Sequence, residues 1–385
     1  MGRGKRMLNQ PLPPEVNIRA GLPHVLDKLR HGESVRIAFL GGSITEGAGA
    51  SKADSTSYRA LTGQYFCRRF PDTVFRFINA GVGGTNSALG AARMDEHVFA
   101  GGAVDLLFVE FSVNDSGNRQ QAMRGIEGII RKCRRLSPNA NICLLYAAST
   151  ENLASAIPPI IAAHEEVAQY YAIPSVNFAA RLHAKFGSDE AAWAALAPDG
   201  VHPNDAGYAH YAQMLAEFLD IVLDEGALAG SPVYNAAEQH CVAPMDAMNY
   251  EFASMRDTRQ LISSSGFAHH VGMPEPYMNW RFAAEHVAAD CAGAELSFTA
   301  SGSGAGLLLI VGMDAGMFEY AVNGKEPRLI NPFDEWCLVA YRPVPVWLPF
   351  PDSPQEDAVV TIRIAEQKDA RRSGNGLRIM RLMQY

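Results

Sequence analysis

The first 225 residues alternate between short apolar runs and segments whose apolar residues recur at helical spacing. The apolar runs predict strands at residues 37–40, 74–78, 106–111, 142–146 and 175–178. The helical spacing predicts helices at residues 22–29, 119–136, 160–171 and 205–225. Because strands and helices alternate, we expect a doubly wound α/β domain, with a parallel sheet covered by helices on both faces.

The helical spacing fades after residue 226. Residues 226–232 have the glycine, alanine and proline content of a linker. Short strands are then predicted at residues 296–299, 306–311, 318–322, 337–341, 359–364 and 377–382. Asn323-Gly324 is a strong hairpin signal, and short strands between turn residues favour an antiparallel β-sandwich of the jelly-roll kind. We predict an arm and helix at 1–30, an α/β domain at 31–228 and a β-sandwich at 235–385.

Composition and charge exclude several kinds of partner. The chain has 385 residues, of which 48% are hydrophobic and 19% charged, and its net charge is −8. A net charge of this sign argues against nucleic acid or an anionic membrane as the main partner, since both would require a basic face. No run reaches the roughly 18 apolar residues of a membrane span. The first residues lack the apolar core of a signal peptide, and the six cysteines stand at least ten residues apart, so we expect free thiols and a cytoplasmic location.

A serine stands on a sharp turn at the end of the first predicted strand. Residues 37–40 run directly into Gly41-Gly42-Ser43. The carboxyl ends of parallel strands form the crevice in which open α/β sheets bind ligands. A hydroxyl delivered there is well placed to act as a nucleophile. The alternative is a glycine turn in which the serine only caps a helix.

Candidate hydrogen-bond donors follow the second and third strands of the same sheet. Residues 79–85 are glycine-rich, which lets backbone N–H groups approach an oxyanion closely. They do not form a dinucleotide fingerprint, because Asn86 stands where the last glycine would be needed. Asn114 follows the third strand, where its amide can donate to the same oxyanion. The alternative for Asn114 is an Asx turn that leaves the strand.

An aspartate and a histidine precede the last helix of the α/β domain. Catalysis by a serine nucleophile needs a base and a carboxylate that orients the base. Asp199 and His202 supply both within the loop Asp199-Gly200-Val201-His202-Pro203-Asn204, and the glycine and proline would stiffen it. Taken alone, the spacing also fits a loop aspartate beside a surface histidine.

Together these stretches resemble the SGNH/GDSL hydrolase superfamily, whose blocks are a Ser, a Gly, an Asn and an Asp-x-x-His in that order. The resemblance covers about residues 35 to 225 and implies a flavodoxin-like doubly wound sheet. It implies that Ser43 is the nucleophile, Asp199 the orienting carboxylate and His202 the general base. The oxyanion hole would comprise Ser43, Asn114 and a backbone donor at Gly84, although the adjacent Gly83 also remains open as that donor.

Two residues depart from the family pattern. Gly42 stands where the family often has an aspartate, which many relatives do without. Ser112 stands where the family usually has glycine, and we expect it to make the wall near the oxyanion hole bulkier. Gly42 therefore raises little doubt about activity, and Ser112 bears on substrate shape.

No metal or organic cofactor is implied by the sequence. His164-Glu165 begins like a zinc helix, but the motif H-E-x-x-H would need a histidine at the position of Ala168. We therefore predict a solvated helix face there. His240-Cys241 and His269-His270 are predicted to be structural. Three tryptophans of the second domain could stack on a sugar, although aromatic residues of a sandwich more often belong to its core: Trp280, Trp336 and Trp347.

The resemblance leads to three functional hypotheses. The first is a serine esterase that removes a small acyl group, acetyl above all, from a carbohydrate through an acyl-enzyme. The second is a lipase or thioesterase that acts on longer acyl chains. The third is a binding or assembly protein without turnover, against which the intact Ser, Asn, Asp and His set argues. The expected partner is a small acylated substrate, and a homo-oligomer stays open.

Overall fold

The structure of the protein is a computed structural model. It describes residues 15–153, 158–187, 189–224, 242–352, 354–367, 369–371 and 373–385. The described residues form two compact units. The α/β unit comprises the described parts of Met1–Gly90 and His97–Asn249, and the β unit comprises Ala91–Glu96 and the described parts of Tyr250–Tyr385. The predicted linker, the predicted domain boundary, most of the predicted arm and His240-Cys241 lie outside the described residues.

A six-stranded sheet forms the centre of the α/β unit. Its strands are β1 (Val16–Asn17), β2 (Val35–Gly41), β3 (Phe75–Gly81), β4 (Leu106–Glu110), β5 (Asn141–Tyr146) and β6 (Ser175–Asn177). The strand order is β1-β6-β5-β4-β2-β3. Strands β2 to β6 are mutually parallel, as predicted. The short edge strand β1, within the region predicted as a polar arm, pairs with β6 in the antiparallel sense.

Twelve helices accompany the described strands. They are α1 (Pro23–Arg30), α2 (Ser43–Glu46), α3 (Ala53–Thr56), α4 (Tyr58–Arg69), α5 (Ser87–Ala92), α6 (Met94–His97), α7 (Arg119–Leu136), α8 (Thr150–Leu153), α9 (Pro159–Tyr170), α10 (Phe178–Phe186), α11 (Glu190–Ala194) and α12 (Asp205–Val222). The predicted helices correspond to α1, α7, α9 and α12. Asparagine side chains cap several of them, and Asn118 accepts a hydrogen bond from the Gln121 N–H at the start of α7. No helix of the described residues is long and apolar enough to cross a membrane.

The strand order places a binding crevice between β2 and β4. In the order β3-β2-β4-β5-β6, the chain runs from β2 outwards to β3 and then returns across β2 to β4. This reversal is the topological switch point, outside whose carboxyl ends open α/β sheets bind ligands. Strand β2 is buried at every residue except Arg36, as expected of a central parallel strand covered on both faces. Ser43 and Asn114 follow the two strands that border the switch point.

The β unit contains two antiparallel sheets that enclose one apolar core. Its strands are β7 (Ser254–Asp257), β8 (Ser263–Ser265), β9 (Ala268–His270), β10 (His286–Ala289), β11 (Glu295–Gly302), β12 (Gly304–Val311), β13 (Phe318–Val322), β14 (Arg328–Ile330), β15 (Arg342–Pro349), β16 (Gln355–Ile364) and β17 (Leu377–Gln384). One sheet has the order β15-β12-β17-β10-β9, with β7 also paired to β17, and the other has the order β14-β13-β16-β11-β8. The prediction of an α/β domain followed by an all-β sandwich is confirmed.

Single elements of the β unit test the strand predictions. Asn323 and Gly324 have φ values of 51° and 69°, as a type I′ hairpin turn between β13 and β14 requires. The strand predicted at residues 337–341 is wrong, because Glu335–Leu338 form a 3-10 helix that Asp334 caps. Trp280 is buried, whereas Trp336 exposes 60% of its surface and is not part of the core.

Candidate active site

The nucleophile turn joins β2 to α2 through two glycines. A Cβ on Gly41 would lie 2.2 Å from Thr45 Oγ1 and 2.6 Å from the Glu110 carbonyl oxygen. A Cβ on Gly42 would lie 2.0 Å from Asn114 Oδ1. Only glycine therefore fits at either position without a shift of its neighbours. The turn ends at Ser43, which is half-buried and begins α2.

Ser43, His202 and Asp199 form a continuous hydrogen-bonded chain. His202 Nε2 lies 2.7 Å from Ser43 Oγ, and His202 Nδ1 lies 2.6 Å from Asp199 Oδ2. The other carboxylate oxygen of Asp199 accepts the backbone N–H of Val201 and that of His202, at 2.9 and 2.7 Å. Partial burial raises the pKa of Asp199, but these hydrogen bonds outweigh it and hold the pKa below its ordinary value. The carboxylate therefore stays ionised beside the imidazole.

The loop that carries Asp199 and His202 is fixed through the carbonyl oxygen of Gly200. This oxygen accepts Trp193 Nε1–H at 3.0 Å, the Thr150 N–H at 2.8 Å and the Thr150 hydroxyl at 3.2 Å. Gly200 has a φ of +79°, and a Cβ there would meet Thr150 Oγ1 at 2.5 Å. Gly200 is thus required by both its backbone conformation and the close contact.

The segment after α2 holds the histidine loop from the opposite side. Gly49 has a φ of +85°, and its Cβ would lie 2.6 Å from the carbonyl oxygen of Pro203. The carboxylate of Asp205, at the start of α12, accepts hydrogen bonds from Ser51 N–H, Ser51 Oγ–H and Thr56 Oγ1–H at 2.8, 2.5 and 2.7 Å. These bonds hold the pKa of Asp205 below its ordinary value. Close packing and three hydrogen bonds therefore hold the segment after α2 against the loop that carries Asp199 and His202.

The two glycines considered as backbone donors differ in their surroundings. Gly83 is buried, and its N–H donates to Glu46 Oε2 at 2.8 Å. Gly84 is exposed with a φ of +67°, and its N–H makes no hydrogen bond within the described part of the chain. The amide of Asn114 lies against Gly42, one residue before Ser43. Among the described residues, Gly84 N–H and the Asn114 amide N–H thus both remain without an acceptor.

Ser112 does not form the wall near the oxyanion hole as we expected. It is 2% exposed, and its hydroxyl oxygen accepts the Ala147 N–H at 2.9 Å. The hydroxyl also lies 3.2 Å from Glu110 Oε1. Ser112 therefore connects the carboxyl ends of β4 and β5 below the surface, where a substrate does not reach.

Glu110, the last residue of β4, is a buried carboxyl group that the sequence analysis missed. It is 1% exposed, and its Oε1 accepts the Ser112 N–H at 3.1 Å. Its Oε2 has no hydrogen-bond partner among the described residues. Burial raises the pKa of Glu110 to about 7, although the hydrogen bonds from Ser112 act in the opposite direction.

Replacement of Glu110 by glutamine is expected to stabilise the protein at pH 8.5 and not at pH 5. The folded-state pKa of about 7 exceeds the ordinary 4.5, so the wild type loses stability as pH rises from 4.5 to 7, by about 3 kcal/mol in total. Glutamine does not ionise and keeps an oxygen for the Ser112 N–H. Thermal unfolding midpoints of both proteins at the two pH values measure this difference, and an equal shift at both would contradict it.

His164 lies on a buried face of α9, so the prediction of a solvated face is wrong for this residue. It is 1% exposed, and its Nε2 lies 2.8 Å from Asp115 Oδ2. Asp115 directly follows Asn114, and its own exposure is 6%. Helical periodicity could not reveal this pair, because Asp115 lies far from His164 in the sequence. Within the described residues, no group of three His, Cys, Asp or Glu side chains could hold a metal ion.

Two solved structures of one protein are similar in fold to the whole chain. Crystal structures of a two-domain esterase (CEX) active on acetylated mannans are similar to the chain at 24% identity. One has a TM-score of 0.76 and covers 96% of this chain and 95% of that chain. The other, co-crystallized with mannopentaose, has a TM-score of 0.75 and covers 94% of each. Axe2, an acetylxylan esterase from Geobacillus stearothermophilus, has 19% identity and a TM-score of 0.41 over 49% of this chain and 95% of that chain. No curated protein matches the sequence.

The fold and the family match together define the class, which is that of the carboxylic ester hydrolases. Residues 39–210 match the GDSL-like Lipase/Acylhydrolase family. This part of the chain is a GDSL-like lipase/acylhydrolase domain, and the predicted SGNH/GDSL membership is confirmed. The matched range contains the serine, glycine, asparagine, aspartate and histidine blocks on which the resemblance rested.

Proposed function

We propose that the chain is a serine esterase that removes acetyl groups from carbohydrates, with Ser43 as nucleophile, His202 as general base and Asp199 as the orienting carboxylate. The observation that carries the proposal is the hydrogen-bonded chain from Asp199 through His202 to Ser43, with distances of 2.6 and 2.7 Å. This arrangement has the three members of a serine nucleophile site in their required contacts.

The first half of the reaction forms an acyl-enzyme. Ser43 Oγ attacks the ester carbonyl carbon while His202 Nε2 takes the hydroxyl proton. The carbonyl oxygen gains the negative charge and accepts hydrogen bonds from Ser43 N–H, Gly84 N–H and the Asn114 amide. Asp199 stabilises the imidazolium ion. The C–O bond to the sugar then breaks, His202 returns its proton to the sugar oxygen, and the acetyl group stays on Ser43.

The second half releases acetate. A water molecule gives a proton to His202 and attacks the acetyl carbonyl carbon, and the same donors stabilise the second oxyanion. The bond to Ser43 Oγ then breaks, and the proton returns from His202 to that oxygen. The products are the free enzyme and acetic acid, which ionises to acetate and a proton in water, so no cofactor is needed for the atoms or charges to balance.

The carbohydrate substrate is supported by the two-domain esterase structures, whose protein is active on acetylated mannans. At 24% identity this similarity shows the fold, and the acetylated carbohydrate is part of the proposal. The half-buried serine at the switch point is compatible with a bulky alcohol portion on the solvent side of the ester.

The test is acetate release from acetylated manno-oligosaccharides and xylo-oligosaccharides, with nitrophenyl acetate and octanoate in parallel. We expect acetate from at least one sugar, a preference for nitrophenyl acetate and no turnover by Ser43→Ala. Faster hydrolysis of the octanoate would instead favour a lipase or thioesterase. Equal inactivity of both proteins on every ester would overturn the proposal and favour a binding protein.

A further inference from the structure

Both ends of the segment that carries Gly84 are held by carboxylate groups. We call residues 82–86, between β3 and α5, the glycine turn. Just inside its start, Gly83 N–H donates to Glu46 Oε2 at 2.8 Å. Just beyond its end, Ser87 N–H donates to Asp115 Oδ1, also at 2.8 Å. The N–H of Gly84 lies between these two anchored groups.

Each carboxylate comes from a different part of the site. Glu46 is the last residue of α2, three positions after Ser43. Asp115 directly follows Asn114. One hydrogen bond therefore connects the glycine turn to the nucleophile helix, and the other connects it to the element that carries the side-chain donor.

The segments that carry Glu46 and Asp115 are both held by their surroundings. A Cβ on Gly81 would lie 2.2 Å from the backbone nitrogen of Glu46, so α2 packs against the end of β3 without free space. The second oxygen of Asp115 lies 2.8 Å from His164 Nε2, and both residues are buried. The Asp115 N–H donates to the Phe111 carbonyl oxygen at 2.9 Å. The two anchors are thus fixed by close packing and by burial.

We propose that Glu46 and Asp115 are positioning residues that fix the glycine turn at both ends, so that Gly84 N–H and the Asn114 amide face one point beside Ser43 Oγ. This inference rests on the proposed function. Hydrogen bonds from backbone N–H groups to carboxylates are charge-assisted and stronger than neutral ones. An oxyanion donor is effective only at its correct distance from the forming charge, so a small displacement costs catalysis rather than substrate binding.

The sign of the change in kcat distinguishes a positioning role of the two carboxylates from a direct electrostatic effect on the oxyanion. A negative charge near a forming oxyanion opposes it, so removal of charge alone would raise kcat or leave it unchanged. Glu46→Gln and Asp115→Asn remove the charge and keep an oxygen that accepts the backbone N–H. Glu46→Ala and Asp115→Ala remove the acceptor as well. Positioning therefore predicts a loss in the alanine variants and rescue by the amide variants.

The experiment measures kcat and KM for nitrophenyl acetate with the full chain and all four variants. We expect each alanine variant to lose about 10- to 100-fold in kcat with KM within about threefold of wild type, which is part of what a lost oxyanion donor costs. Glu46→Gln is expected to recover most of kcat. The double alanine variant should lose less than the product of the single losses, because either change alone already displaces Gly84.

Asp105 offers a matched control at the opposite end of β4. Its carboxylate likewise accepts a backbone N–H, that of Arg36 at 2.7 Å, and lies 3.1 Å from a histidine, His24. Asp105→Ala is expected to lower the thermal unfolding midpoint and to leave kcat unchanged. If Glu46→Ala and Asp115→Ala fold and keep the kcat of the wild type, the inference is overturned. Turnover by the wild type would still support the proposed function in that case. Should Asp115→Ala fail to fold, the Glu46 pair decides, and a wild type inactive on all esters would overturn both.

Discussion

Replacement of His202 by alanine is expected to lower kcat by about 10⁴- to 10⁶-fold, with a much smaller change in KM. His202 Nε2 lies 2.7 Å from Ser43 Oγ and is the group that takes the serine proton in the proposed mechanism. Without it the hydroxyl is a weak nucleophile near neutral pH. Any residual rate would come from substrate binding and the oxyanion donors, which do not depend on the imidazole.

Asp199→Asn is expected to cost less than loss of the histidine. An asparagine oxygen can still accept the N–H groups of Val201 and His202, but its NH2 group would face His202 Nδ1. The ring would then carry its proton on Nε2, where it cannot accept the serine proton. Because 56% of the Asp199 side chain is exposed, water screens its charge, and we expect a fall in kcat of about 10²- to 10⁴-fold.

The surface pair of His31 and Asp27 provides the control for both substitutions. His31 Nδ1 lies 3.5 Å from Asp27 Oδ1, and the two side chains are 64% and 65% exposed. His31→Ala should leave kcat and KM at their wild-type values. Retention of kcat within tenfold of wild type by His202→Ala would contradict the role of His202 as general base.

The sheet and the strand-end residues were predictable because they follow from local pattern. Residues 37–40 are apolar without interruption, and residues 106–111 are apolar except for Glu110, as is typical of buried parallel strands. The two runs lie in β2 and in β4 or directly after it. Polar residues that follow such strands necessarily gather at one edge of the sheet. The sequence alone therefore placed Ser43 and Asn114 near one another.

Features that depend on contacts between distant residues escaped prediction. The carboxylate of Asp115 lies against His164, 49 residues away, and no spacing rule connects them. Glu46 was inside the motif, but its bond to Gly83 depends on how closely α2 packs against β3. The choice between Gly83 and Gly84 as donor likewise needed the partner of each N–H group.

Strand prediction in the β unit failed where side-chain pattern and backbone pairing disagree. Strand β15, Arg342–Pro349, contains prolines that argue against a strand interior. It is nevertheless a strand, because it lies at the edge of its sheet and needs a partner on one side alone. Residues 337–341 are all apolar, as in a short buried strand, but Glu335–Leu338 form a 3-10 helix that Asp334 caps.

Gly42→Ala is expected to lower kcat by about 10²- to 10³-fold and to leave the fold intact. Gly42 has a φ of −84°, which alanine adopts without strain, so any effect comes from contact alone. The new Cβ would lie 2.0 Å from Asn114 Oδ1, and the asparagine side chain would have to move. Loss of one oxyanion donor has about this cost.

A double variant shows whether Asn114 carries the loss. If the alanine at position 42 acts by displacing Asn114, then Gly42→Ala combined with Asn114→Ala should be no slower than Asn114→Ala alone, because the donor is already absent. Gly63→Ala is the matched control, since its Cβ would meet Phe77 at an ordinary 3.4 Å. Wild-type kcat in Gly42→Ala would show that the Asn114 amide is not the donor, whereas additive losses would assign Gly42 a separate role in holding the turn before Ser43.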